Sequence, residues 1–293
     1  MPELNSPVFK DRLFVLPPTT WRFSRQRSIW LGGSCETKVG RTWGLEPCTA
    51  SPAKNSRLTA GIRKSAPWTT CLSGLREPPT TSQFTLDRQS ALSVYHDELG
   101  MIVLGANSKH QPELATLMET VDGQVTTVPV SSRLRMTDEG DRLGLAHRRF
   151  FAVLEVTPAE PERLSFRFEV TERGRGRMKD AQLNLQLSLK PGETLETASK
   201  KIVLGSDRIE LGPEEIGGSI RHRGWKISVD PTARLIWPVF GFNPYRNALE
   251  TELRHAVGQL TIRVEVQPPD QGALDWRKQT IDFVIEADPI RKR

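Results

Sequence analysis

Leucines at 183, 185, 187 and 189 alternate with Asn184, Gln186 and Ser188, and this two-residue period limits what the chain can fold into. An extended strand puts every second side chain on one face, whereas a helix would spread the four leucines around its axis. Leu164, Phe166, Phe168 and Val170 repeat the pattern, as do Leu260, Ile262, Val264 and Val266. One apolar and one polar face per strand predicts antiparallel sheets packed face to face, each with a wet outer side.

Turn chemistry separates these segments. Lys190-Pro191-Gly192, Gly205-Ser206-Asp207, Arg223-Gly224 and Asp230-Pro231 each fall between apolar runs. Arg173-Gly174-Arg175-Gly176-Arg177 reads as an exposed hairpin tip. Helix is expected only as scraps, in PEEIG and from Asn247 to Val257, where Leu249, Leu253 and Ala256 share a helical face. The expected fold class is all-β: a large antiparallel β-sandwich over residues 86–290.

Residues 1–85 read differently. They hold twelve Lys or Arg against five Asp or Glu, a balance of +7 out of the whole chain's +6, and apolar residues recur at no regular period. The expectation is a poorly ordered basic segment, with a boundary near residue 85. Tryptophan and cysteine are unusually frequent for disorder, which fits a non-native or frame-shifted stretch. Scattered arginines without consecutive blocks do not predict nucleic-acid binding. Cys35, Cys48 and Cys71 form no CxxC pair, and the five histidines show no zinc spacing, so neither metal nor cofactor is expected. No window of eighteen apolar residues is present, and no charged leader precedes a greasy segment. A cytoplasmic chain with no membrane partner is therefore expected, or a periplasmic or secreted one if a leader lies upstream.

No GxSxG, Walker or HExxH signature occurs. Two stretches are candidate ligand surfaces. In GANSKHQPELAT, Asn107 and Gln111 can donate and accept, Lys109 is cationic, and His110 can carry a proton near neutrality. In RLIWPVFGFNPYRNALET, Tyr245 and Arg246 stand among aromatic and amide residues, the mixture that a sugar's C–H faces and hydroxyls require. A polar turn and a packed corner explain the same two stretches without a ligand. Tyr95 and His110 are the candidates for proton transfer; His96 adjoins Tyr95, but strand neighbours face opposite sides. His147, Arg148 and Arg149 form a basic knot expected on a solvated edge.

YHDELGMIVLGANSKHQPELAT and LIWPVFGFNPYRNALETELRHAVGQLTIRVEV resemble the β-sandwich that follows the helical toroid in heparinase II/III-like proteins, bacterial polysaccharide lyases and their relatives. The resemblance covers residues 90–286 and lies in phrases, without a catalytic motif. It implies an acidic polysaccharide as partner and a separate helical domain carrying most of the lyase machinery. Residues 1–85 have nothing from which to build that toroid, and the only tyrosines, Tyr95 and Tyr245, match no catalytic position.

Three functions follow. The favoured one is a non-catalytic module that contacts carbohydrate or a partner enzyme domain. The others are a fragment of an active lyase that cleaves uronate-containing glycans by β-elimination, and an assembly protein without a ligand.

Overall fold

The structure is a computed structural model that describes residues 59–74, 90–105, 111–121, 123–172, 181–243, 245–265 and 278–288. All belong to the compact unit Arg57–Arg293. Every strand pairing among them is antiparallel, and the strands form two large sheets and one small hairpin. Among the described residues no helix is long and apolar enough to cross a membrane.

The ten-stranded sheet is built from β1 (Ala60–Ser65), β2 (Trp68–Ser73), β3 (Leu92–His96), β4 (Gly100–Leu104), β5 (Leu117–Val121), β6 (Gln124–Thr126), β11 (Ala181–Leu187), β14 (Ile209–Leu211), β17 (Arg234–Val239) and β20 (Val257–Val264). Its order is β1-β2-β3-β4-β11-β20-β17-β14, with the β5–β6 hairpin attached to β11. The nine-stranded sheet contains β7 (Ser131–Thr137), β8 (Gly140–Ala146), β9 (Phe150–Val156), β10 (Arg163–Glu172), β12 (Thr194–Thr197), β13 (Lys201–Val203), β15 (Ser219–His222), β16 (Trp225–Ser228) and β21 (Lys278–Ala287). Its order is β13-β12-β15-β16-β21-β10-β9-β8-β7. The strand β21 therefore joins two groups of strands that do not otherwise pair.

The alternation in the sequence explains the core. On β10, Leu164, Phe166, Phe168 and Val170 are all buried. The ring of Phe166 stacks on Phe283 of β21 at 4.8 Å, while Arg167 and Asp282 pair on the outer face. Leu183, Leu185 and Leu187 of β11 and Leu260, Ile262 and Val264 of β20 supply the opposing layer of one continuous apolar cluster. A single core shared by two facing sheets is the expected sandwich.

Several expectations change. The sheet begins ahead of residue 85: β2 pairs with β3 from Trp68↔His96 to Leu72↔Leu92, and Trp68 and Leu72 are fully buried. Arg63 on β1 makes a bidentate bridge to Asp141 on β8, with Nη2–Oδ1 at 2.6 Å and Nε–Oδ2 at 2.8 Å, which ties the two sheets together. Arg173–Arg177 lies outside the described residues, but β10 and β11 on either side belong to different sheets, so they form no hairpin. Pro213–Ile216 is the helical turn α1. The helix expected from Asn247 to Val257 is replaced by β19 (Ala248–Leu249), a short 3₁₀ turn at Leu253–His255 and the start of β20. Asn247 adopts the left-handed region (φ 48°), and the Glu250 carboxylate takes the N–H groups of Thr251 and Glu252, which competes with helix formation.

Arg223 and Gly224 both have positive φ, 46° and 79°, between β15 and β16. That is the tight hairpin geometry the Arg-Gly pair predicts, and Gly224 takes its conformation without a side-chain penalty.

Candidate functional site

The polypeptide between β4 and β5 makes an excursion from the sheet. Leu104 and Val103 of β4 pair with Gln186 and Leu187 of β11, and Met118 and Leu117 of β5 pair with Gln182 and Leu183 farther along the same edge. What would be one continuous partner strand is thus interrupted by GANSKHQPELAT. Asn107, Lys109 and His110 lie outside the described residues. Gln111 and the residues after it are described, and their bonding shows where the excursion returns.

Gln111 binds the backbone on both sides of Gly241. Its Nε2 donates to the Phe240 carbonyl at 2.8 Å, and its Oε1 accepts the Phe242 N–H at 2.8 Å. The chain then makes a 3₁₀ turn at Pro112–Leu114 and crosses the outer face of β11 and β20. Gln259 Nε2 donates to the Glu113 carbonyl at 2.8 Å, and Asn184 Nδ2 to the Ala115 carbonyl at 3.0 Å. Thr261 Oγ1 donates to Asn184 Oδ1 at 2.9 Å. The face expected to be wet is therefore covered: Asn184, Gln186 and Gln259 are buried, and the amides of Asn184 and Gln259 satisfy loop carbonyls. The alternation was correct and the solvation was not, because a distant segment supplies the carbonyls.

Beyond Phe240 the chain forms a two-stranded hairpin, β18 (Phe242–Asn243) with β19. Tyr245 at its turn is 87% exposed and is the most open aromatic ring described. Its N–H bonds Asn243 Oδ1 at 3.0 Å. Arg246 faces Glu250 at 3.5 Å and Glu252 at 3.2 Å, and Arg254 bridges Glu252 at 2.6 Å. Glu250 is the hub. Asn243 Nδ2, the N–H groups of Glu252 and Thr251, and His255 hold its carboxyl down at about 2. The described charges of this corner are thus largely matched within it.

The structure brings the two candidate stretches together at Gln111 and leaves Tyr95 elsewhere. Tyr95 is exposed on β3 beside Met101. His96 faces inward and is 3% exposed, with its ring edge-on to Trp68 at 4.6 Å. Its Nδ1 accepts the Glu98 and Leu99 N–H groups, and burial pushes its pKa down. Tyr95 and His96 share no face, as their adjacency predicted.

His147 departs from expectation. It is 1% exposed rather than on a solvated edge, and its ring stacks on Phe150 at 4.4 Å. Burial lowers its pKa to about 4. The neighbouring Arg148 N–H bonds Glu119 Oε1 at 3.1 Å, which pulls the β8–β9 turn onto the other sheet. The local pattern HRRFF contains no sign of this, since the partner is on β5. Among the described residues, no group of three or more His, Cys, Asp or Glu side chains could hold a metal ion.

No protein-family model matches the sequence, and no curated protein matches it. Among solved structures, a mutant of the heparan sulfate lyase HepC from Pedobacter heparinus is 10% identical with a TM-score of 0.38, over 77% of this chain and 34% of that one. A 4-alpha-glucanotransferase from Thermococcus litoralis is 9% identical with a TM-score of 0.38, over 78% of this chain and 37% of that one. The chain spans about a third of the length of these structures.

Proposed function

We propose that this chain is a non-catalytic β-sandwich module that contacts carbohydrate where the excursion after β4 meets the β18–β19 hairpin. The observation that carries this reading is the double hydrogen bond from Gln111 to Phe240 and Phe242. It holds Gln111, from one stretch with residue types for sugar contact, against the backbone of the other. Tyr245 offers a ring for C–H stacking beside that contact, and the exposed Asn247 amide can meet a hydroxyl. Loops carried on a rigid sheet are where such contacts usually sit. Arg246 is already engaged by Glu250 and Glu252, so a carboxylated or sulfated glycan would have to compete for it.

The test is binding of the full chain to a panel of neutral and acidic polysaccharides at two salt concentrations. Tyr245→Ala should weaken binding by roughly 3- to 10-fold, the value of one stacked ring. Binding that ignores Tyr245→Ala would move the site elsewhere on the sandwich. No binding to any member of the panel rejects the reading.

A further inference from the structure

Where the two sheets meet near the Thr127–Pro129 segment, they border a partly open cavity of about 20 Å³. Thr116 and Leu117 line it from the ten-stranded sheet, and Leu145 and His147 from the nine-stranded one. Neither ring nitrogen of His147 has a hydrogen-bond partner in the protein, although the residue is 1% exposed. The hydroxyl of Thr116 accepts the Ala91 N–H at 2.9 Å and still has its own proton to give. Glu119, two residues beyond Leu117 on β5, carries a further unpartnered buried atom, Oε2. The bond from the Arg148 N–H to Glu119 Oε1 fastens these two regions together.

Buried polar groups are almost always hydrogen-bonded, and cavities that stay dry are lined by apolar side chains. This one presents an imidazole and a hydroxyl. Its volume exceeds the roughly 10–15 Å³ that a single water occupies on the same measure. We infer that the cavity is a hydration site, in which one ordered water bridges a ring nitrogen of neutral His147 and the Thr116 hydroxyl. This water is a structural part of the seam. It adds to the bonding of the β8–β9 turn against the first sheet, beside the Arg148–Glu119 contact. Water is the ligand the site takes, because the space admits one small molecule that can both donate and accept.

The experiment is a crystal structure of the full chain showing ordered solvent, with long-lived water contacts to the His147 ring measured by NMR. Wild type, His147→Phe and Thr116→Val are compared. The wild type should show one solvent peak within about 3.2 Å of a His147 nitrogen and of Thr116 Oγ1. That peak should vanish in His147→Phe, which keeps a ring stacked on Phe150, and vanish or shift in Thr116→Val. If His147→Phe does not fold, Thr116→Val decides the matter. A peak absent from the wild type, or one that keeps its position unchanged in either variant, overturns the inference.

Discussion

Gln111 and Phe242 are 131 positions apart in the chain, and a single side-chain amide holds them together, accepting the Phe242 N–H at 2.8 Å while donating to the carbonyl two residues before it. Gly241 sits between the two bonded backbone groups, so the side chain acts as a clamp on the turn that launches the β18–β19 hairpin. Replacing Gln111 by Glu preserves shape but turns the donor into an acceptor facing the Phe240 carbonyl. Gln111→Glu and Gln111→Ala should each destabilise the fold by about 1–3 kcal/mol in urea titrations. Both should weaken any glycan binding that depends on the hairpin. Unchanged midpoints for both would mean that the clamp is dispensable.

The Arg63–Asp141 bridge yields a sharper contrast. The Asp141 side chain is 0% exposed and that of Arg63 27% exposed. Arg63→Ala leaves a buried carboxylate without its partner, and should cost about 3–5 kcal/mol. Replacing both residues by apolar ones of similar volume should recover much of that loss. A double mutant as unstable as the single one would show that the bridge, rather than the stranded charge, is what stabilises the seam.

Acid stability should carry the mark of His147. Its folded pKa of about 4 lies below the ordinary 6.5, so the unfolded chain binds the proton more readily. The stability this neutral histidine protects is fully present above about pH 6.5 and is lost as pH falls toward 4, by about 3 kcal/mol in total. Chemical denaturation across that range should be flatter for His147→Phe than for the wild type. His96 and His222 are also lowered by burial and add to the slope in both proteins. Glu250, held at about 2, contributes in a lower window, between its ordinary 4.5 and 2. Identical slopes for wild type and His147→Phe would mean that the ring is not buried as described.

A chain that starts at Arg57 and one that starts at Leu86 should not melt alike. The shorter one lacks β1 and β2, and with them Trp68, Leu72 and the partner of Asp141. It should melt roughly 10 °C or more below the longer one. Equal midpoints would restore the boundary near residue 85.

Why was that boundary misplaced when β10, β11 and β20 were legible? Phe166, Phe168 and the leucines of β11 announce their faces by hydrophobicity. The inward side of β2 is Trp68, Thr70 and Leu72, with Cys71 on the other side, so its alternation is diluted by threonine and cysteine. The helix expected over 247–257 failed for a different reason. Leu249 is 53% exposed, and Glu250 uses its carboxylate on backbone N–H groups that a helix would need. The candidate surface was legible only as two separate stretches. Their meeting depends on Gln111, and the covering of Asn184 and Gln259 on carbonyls from another segment, neither of which leaves a local periodic trace. His147 was noticed for its charge and matters instead for its burial.

The position of β21 bears on how the protein is made. It pairs with β10 along nine registered positions and with β16 along four, and it is the last described strand to leave a ribosome. Until it arrives, β10 of the group β7–β10 and β16 of the group β13-β12-β15-β16 present open edges where their shared neighbour belongs. The nine-stranded sheet therefore cannot close until β21 has been made, and until then those edges stay exposed to other chains.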